Sequence, residues 1–358
     1  MDALASAMPF ATSKSPVAIL QYGKITVKGN RMKMESNDTS GGIVKYMAIE
    51  SCDVDGSFLV NIADMFKYVS KCKGDIVTLL VSDGVINVKH KMGKASFPSP
   101  EPTGYPMLKI SSDEQITLNI PASTLATCVR LGKNFVSSNT LRPQMCAIYA
   151  YSGNGKFGFC ATDTHILTHN EWDLQSSDGE EKGFFIMPNV FVPIAEACKN
   201  RDEATISFND THVIYHIGDT IIQSCMAKGK YPPFRRVIPN NHTMECSIEK
   251  NDLIDSVARV SLISEESRLL KINISELDIV VSCDNLRDSK QSSETLSHNG
   301  CNGSAVIGMN ADNIVKALKV FKDGDILMRI EDSSHPVVFS QSGNENLITL
   351  VMPMNLNT

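Results

Sequence analysis

The chain has 358 residues, 42% hydrophobic and 21% charged, with a net charge of −6. That length allows two or three domains, and the acidic balance excludes a protein that coats nucleic acid with its whole surface. No apolar run reaches the roughly 18 residues of a membrane helix, and MDALASAMPF lacks the order of a secretory signal.

Ten cysteines are spread from Cys52 to Cys301 without a CxxC pair. They fit free thiols in a reducing cytoplasm better than a disulfide framework, so a cytoplasmic protein is expected. The first segment with clear periodicity is NIADMFKYVSKCKGDIVTLLVSDGVINVKHKMGKASF, from Asn61. Ile62, Phe66, Val69 and Cys72 share a helical face there, and a charged turn leads into alternating strands. PASTLATCVRLGKNFVS predicts a helix with Pro121 in its first turn and Leu125, Val129 and Val136 inward.

SGNGKFG then has GxGxxG spacing, but CAIYAY before it and FGFCATD after it both look like strands. Ser152–Lys156 is therefore read as a hairpin turn rather than a phosphate loop. His165 and His169 are four apart without an HExxH pattern, in a region of strand and turn. Asp163, His165 and His169 are the one cluster an enzyme reading could nominate; no nucleophile or metal motif accompanies them, and neither catalysis nor metal is expected.

A second helix–turn–strand segment starts at Met187. EKNDLIDSVARVSLIS follows with Leu253, Val257 and Val260 on its apolar side. His298 and Cys301 fall in a Ser/Asn/Gly-rich stretch, Gln291–Ser304, read as a mobile loop. A third segment starts at Met309, with Ile314, Leu318 and Phe321 at i, i+4, i+7. The chain ends LITLVMPMNLNT, apolar almost to its last residue, where a terminus usually frays into polar side chains. The tail is either a buried strand or the wall of a groove, and strand alternation predicts that one of Met352 and Met354 is core.

Three similar segments at near-equal intervals predict three copies of one domain. The class is α+β, each copy an antiparallel sheet with helices on one face. The helices carry the positive charge: Lys67, Lys71 and Lys73, then Arg130 and Lys133, then Lys199 and Arg201, then Lys316, Lys319 and Lys322. Only the helix from Glu249 is not basic. The bland reading is solvated helix faces; the sharper one is phosphate contact without sequence preference.

Three stretches resemble one family. ATDTHIL (Ala161–Leu167) resembles the Ala-Thr-Asp-Gly-His-Arg-Leu signature of the bacterial sliding clamps, the beta subunits of DNA polymerase III. KYPPFRRVIP (Lys230–Pro239) is similar to that family's Pro-Asp-Tyr-Arg-Arg-Val segment, and LVMPMNL (Leu350–Leu356) to its Val-Met-Pro-Met-Arg-Leu end. The resemblance implies a ring-forming chain of three clamp domains, 1–112, 113–242 and 243–358. Two chains would close head to tail around duplex DNA, as a non-catalytic subunit of the polymerase III holoenzyme with no cofactor. The implied partners are the polymerase III alpha subunit, the clamp loader and other proteins with clamp-binding motifs.

Carried over by position, the partner groove comprises Met145, Thr162, Thr164, His165, Leu167, Pro232, Arg236, Val237, Leu350, Val351, Met352, Pro353 and Met354. Lys71, Arg130, Lys133, Lys199, Lys316 and Lys319 would face DNA, and Leu262 and Ile263 would enter the dimer joint. Departures are specific. The family's Gly is Thr164, its Arg is Ile166, its penultimate Arg is Asn355, and Pro143 and Gln144 replace two tyrosines. Asn189 and Val190 replace basic residues. Only about fifteen residues precede PVAIL, too few for the family's opening strand and full helix, so the first copy is expected to lack part of its first half. The alternative implied is a clamp paralogue that binds clamp-binding peptides without encircling DNA.

Overall fold

At three strand-to-helix corners the last residue of the strand is the N-cap of the helix. Asn61, Glu249 and Asn310 each accept a hydrogen bond from the backbone N–H three residues on, satisfying one of the orphan donors of a helix start. The computed structural model describes residues 1–11, 17–72, 74, 76–111, 115–174, 179–239, 241–285 and 287–356; Lys73 and the 112/113 boundary lie outside them.

The element order repeats. The first round is α1 (Asp2–Ala7), β1 (Tyr22–Lys28), β2 (Arg31–Asp38), β3 (Gly41–Ala48), β4 (Gly56–Asn61), α2 (Ile62–Val69), β5 (Thr78–Ser82), β6 (Val85–His90) and β7 (Gly93–Pro98). The second is β8 (Ile116–Pro121), α3 (Ala122–Gly132), β9 (Ile148–Gly153), β10 (Lys156–Thr162), β11 (Ile166–Asp173), β12 (Lys182–Ile186), α4 (Phe191–Ala197), β13 (Glu203–Phe208), β14 (His212–Ile217) and β15 (Thr220–Cys225). The third is β16 (Met244–Glu249), α5 (Lys250–Val260), β17 (Leu269–Ile274), β18 (Ile279–Asn285), β19 (Lys290–Leu296), β20 (Ala305–Asn310), α6 (Ala311–Leu318), β21 (Asp325–Ile330), β22 (Val337–Gln341) and β23 (Asn344–Val351). Every strand pairing among the described residues is antiparallel, so the class is α+β as the repeats predict. Among the described residues no helix is long and apolar enough to cross a membrane.

Two compact units result: residues 1–130 with 184–227, and 131–183 with 228–358. In the first unit an eight-stranded sheet runs β4–β1–β2–β3–β15–β14–β13–β8, beside a three-stranded β5–β6–β7. In the second, β9–β10–β11–β23–β22–β21–β16 form one sheet, with β12 at its edge where the chain leaves the unit, and β19–β18–β17–β20 form another. One rule builds both large sheets. Counting strands after the opening one, the third strand of a repeat pairs with the last strand of the next: β3 with β15, and β11 with β23.

Among the described residues the first repeat shows no opening strand. In the later repeats that strand pairs with the one after the second helix, β8 with β13 and β16 with β21; β5 has no such neighbour. A helix is nevertheless present in shortened form. The six residues of α1 pack against α2 and α4, with Phe10 fully buried just beyond them, as α5 packs against α6 in the other unit.

Other expectations meet their physical reasons here. Pro121 ends β8 instead of opening the helix, and Phe135, not Val136, is the buried residue beyond α3. On α2 the inward residues are Ile62 and Met65. Leu253, Val257, Val260, Ile314, Leu318 and Phe321 are all buried. The SGNGKFG turn is a hairpin with Asn154 and Gly155 at φ +54° and +75°, the left-handed pair that Asn-Gly supplies. The first part of Gln291–Ser304, read as a mobile loop, is strand β19, which ends at Leu296.

Candidate functional site

The ATDTHIL stretch is a tight connection between β10 and β11, where Thr162 pairs with Leu167. Its polar residues are spent on the turn. Asp163 Oδ1 accepts the N–H groups of His165 and Ile166, both at 2.9 Å. Thr162 Oγ1 donates to Ile166 O at 2.6 Å and accepts Thr164 N–H at 3.1 Å. Thr164 sits at φ +85°, a conformation that costs a β-branched residue and that glycine takes freely. Asp163, His165 and His169 do not converge as a catalytic cluster. His165 is exposed on the turn, while His169 Nε2 lies 2.8 Å from the Tyr151 hydroxyl inside the sheet.

The C-terminal tail follows from β23. Leu350 and Val351 pair with Leu167 and Ile166 and are fully buried. Beyond them Met352 N–H donates to His165 O at 2.8 Å, and Met354 N–H to Gly308 O at 2.7 Å. A Cβ at Gly308 would run into the Met354 carbonyl oxygen, so the tail can cross β20 only because that residue is glycine. Neither methionine is core: Met352 is 37% exposed and Met354 half-buried. Two residues apart, the two methionines would share one face of a strand, so alternation gives no ground for burying just one of them, and the strand itself ends at Val351.

KYPPFRRV folds over the same sheet. Phe234 is buried among Tyr151, Cys160, Leu167, Val338 and Leu350, with Tyr231 and Ile348 packed against the cluster. Tyr231 stacks on Tyr149 at 4.8 Å between ring centres. Arg235 lies 4.6 Å over the Tyr151 ring and 4.8 Å over Phe234, and pairs with Glu181 at 2.9 Å and Glu171 at 3.3 Å. His169, Tyr151 and Lys156 together hold the Glu171 carboxyl well below the usual carboxylate range, against the desolvation that opposes it. The 3.7 Å from His169 to Glu171 is too long for a hydrogen bond. The Tyr151 hydroxyl, 2.6 Å from Glu171 and 2.8 Å from His169, carries the link. Sequence reading missed Tyr149, Tyr151, Tyr231, Phe234 and Arg235; one signal was a Phe set directly after two prolines.

The residues expected to form the groove thus divide. Met145, Thr162, Leu167, Leu350 and Val351 are buried; Thr164, His165, Arg236, Val237 and Met352 are exposed; Pro232, Pro353 and Met354 are half-buried. The turn feeds two places. Thr164 and His165, with Met145, Asn139, Arg142 and Lys316, line a cavity of about 610 Å³. Leu167 enters the Phe234 cluster. Lys316, expected to face DNA, is therefore also part of that cavity's wall.

All six residues expected to face DNA are exposed. Arg130 and Lys316 lie in the last turns of α3 and α6, and Lys71, Lys133, Lys199 and Lys319 follow helix ends, where the helix dipole also favours a cation. Lys199 is neutralised by Glu196 at 2.7 Å. Leu262 is 80% exposed in the turn Ser261–Ile263 after α5, and that turn packs beside β19; Ile263 is half-buried.

Residues 235–355 match the family described as DNA polymerase III beta subunit, C-terminal domain. The beta sliding clamp of Synechocystis sp. is 24% identical over 311 residues, 79% of this chain and 78% of that one. The beta sliding clamp of Staphylococcus aureus is 23% identical over 261 residues, 71% of this chain and 68% of that one. Two solved structures share the fold with a TM-score of 0.89 each, covering 99% of this chain and 96% of theirs. They are a Pseudomonas aeruginosa sliding clamp bound to griselimycin (17% identity) and the Thermotoga maritima DNA polymerase III beta subunit (18%). Sequence and fold together bear out the resemblance carried by the three motifs.

Proposed function

We propose that this divergent relative of the bacterial beta sliding clamps is itself a sliding clamp. Two copies close head to tail around duplex DNA and hold the replicative polymerase and other partners by a peptide groove. The role is non-catalytic and cytoplasmic, and the domain division is 1–112, 113–242 and 243–358. The observation that carries ring closure is the joining rule of the strands. Third-to-last pairing occurs twice within the chain, β3 with β15 and β11 with β23. Among the described residues it leaves β19, the third strand of the last repeat after its opening β16, and β7, the last strand of the first, as open edges. Pairing β19 of one chain with β7 of another extends the rule and returns a closed set. The exposed Leu262 beside β19 supports the same joint.

The groove reading rests on the Thr162–Leu167 turn and the tail beyond Val351. Exposed Met352 beside His165 offers an adaptable apolar surface over a rigid sheet. Two or three anchors at about 1.5–3 kcal/mol each, less the cost of association, give an affinity near micromolar.

Solution mass by light scattering tests closure. One chain is 39.2 kDa; a species of twice that mass, lost on Leu262→Glu, is the expected result. A persistent monomer with intact peptide binding would leave the paralogue that docks clamp-binding peptides without encircling DNA.

A further inference from the structure

Away from the groove, three side chains of the last repeat meet in a way the clamp reading does not use. Cys246, on β16, is fully buried. Cys301 faces it across an isolated antiparallel bridge, and the ligand atoms of Cys246, Cys301 and His298 lie within 4.8 Å of one another. We propose that Cys246, His298 and Cys301 form a Cys₂His site for a zinc-class divalent cation.

The chemistry suits that class. Two thiolates and an imidazole are borderline-soft donors, which favour Zn²⁺ over Mg²⁺ or Ca²⁺. Three protein ligands leave the fourth tetrahedral position for water. Tetrahedral zinc with Zn–S near 2.3 Å places its sulfurs about 3.8 Å apart, so the cluster has to contract by about 1 Å at most. The imidazole is already oriented. His298 Nε2 lies 3.1 Å from Ser275 O, the backbone contact that commonly fixes a ligating histidine. That leaves Nδ1 for the metal. Nδ1 now accepts Gly300 N–H at 3.2 Å and would give up that bond on binding. Two thiol protons leave as the cation enters, and the imidazole stays neutral.

The frame is built before any ion arrives. Ser247 N–H donates to Gly300 O at 2.8 Å and Asn299 N–H to Ser247 O at 2.7 Å. Asn302 Oδ1 accepts Glu245 N–H at 2.6 Å. Residues 299–302 therefore line the free edge of β16 and hold Cys301 opposite Cys246. The link they form joins β19 to β20, so the cation would brace the end of the strand whose edge stays open.

The test is independent of the clamp reading. Metal-free, reduced full-length chain is titrated with Co²⁺ and Zn²⁺ alone, and melting is followed. Expected are one ion per chain, thiolate-to-cobalt charge-transfer absorption, and a Tm that rises with Zn²⁺. In His298→Gln and Cys301→Ser, both at half-buried positions, affinity falls by more than the 10–100-fold typical of losing an outer partner, and the Zn²⁺-dependent rise in Tm disappears. The proposal is overturned if reduced chain binds neither ion. It is equally overturned if His298→Gln, shown folded by its metal-free Tm, binds like wild type, or if the purified chain holds a Cys246–Cys301 disulfide and takes no Zn²⁺ after reduction.

Discussion

Thr164 is the β-branched side chain in a position built for glycine, held at φ +85° by the bonds of Asp163 and Thr162 around it. Thr164→Gly relieves that strain while keeping the N–H bond to Thr162. The gain exceeds the extra chain entropy of glycine, so stability rises by about 0.5–1 kcal/mol, read as a higher denaturant midpoint at unchanged slope. Glu171 makes a second residue-scale prediction. Its folded pKa lies below the ordinary 4.5, so its contribution is complete above that value and fades as pH falls through it toward the lowered one. Glu171→Gln therefore costs about 1.5–3 kcal/mol at neutral pH. The gap to wild type narrows in acid; a pH-independent gap in urea melts would show that the charge is not what Tyr151, Lys156 and Arg235 hold. The turn was legible in the sequence because ATDTHIL is a local motif. The Glu171–Tyr151–His169 link was not, because its members come from neighbouring strands whose register no local pattern reveals.

Among elements, helices were read well where one face repeats, as on α5 and α6, since burial at i, i+4, i+7 needs no knowledge of the partner. Strand neighbours were not legible. The contiguous repeats are cut by sheets that join the third strand of one to the last strand of the next, a long-range pairing set by packing. The tail shows the same limit. Its apolar residues were read as strand or groove wall; they form buried strand to Val351, then a partly exposed crossing tied to His165 and Gly308. Gly308→Ala should displace that crossing without touching Leu350. Its expected signature is weaker binding of a fluorescent clamp-motif peptide, with little change in Tm. Met352→Ala should weaken the same peptide by roughly tenfold, the loss of one partly buried anchor of about 1.4 kcal/mol. Wild-type affinity in both variants would remove the tail from the groove.

For the whole molecule the decisive quantity is topology, not affinity. On the proposed reading, an acidic chain with exposed lysines at its helix ends would make weak, sequence-blind phosphate contacts that fade as salt rises. A ring has a second means of retention, because a closed circle of DNA cannot slip out of it. Loaded onto nicked circular plasmid, the protein should stay bound at salt concentrations that release it from short linear duplex. Cutting the circle should free it. Lys319→Glu, outside the residues that line the His165 cavity, should lower loading while leaving peptide affinity unchanged. Lys316→Glu should disturb both, since Lys316 lines that cavity. If salt strips the circle and the linear duplex alike, the contact is electrostatic alone. The open edges of β7 and β19 then do not meet, and the groove is what the chain contributes.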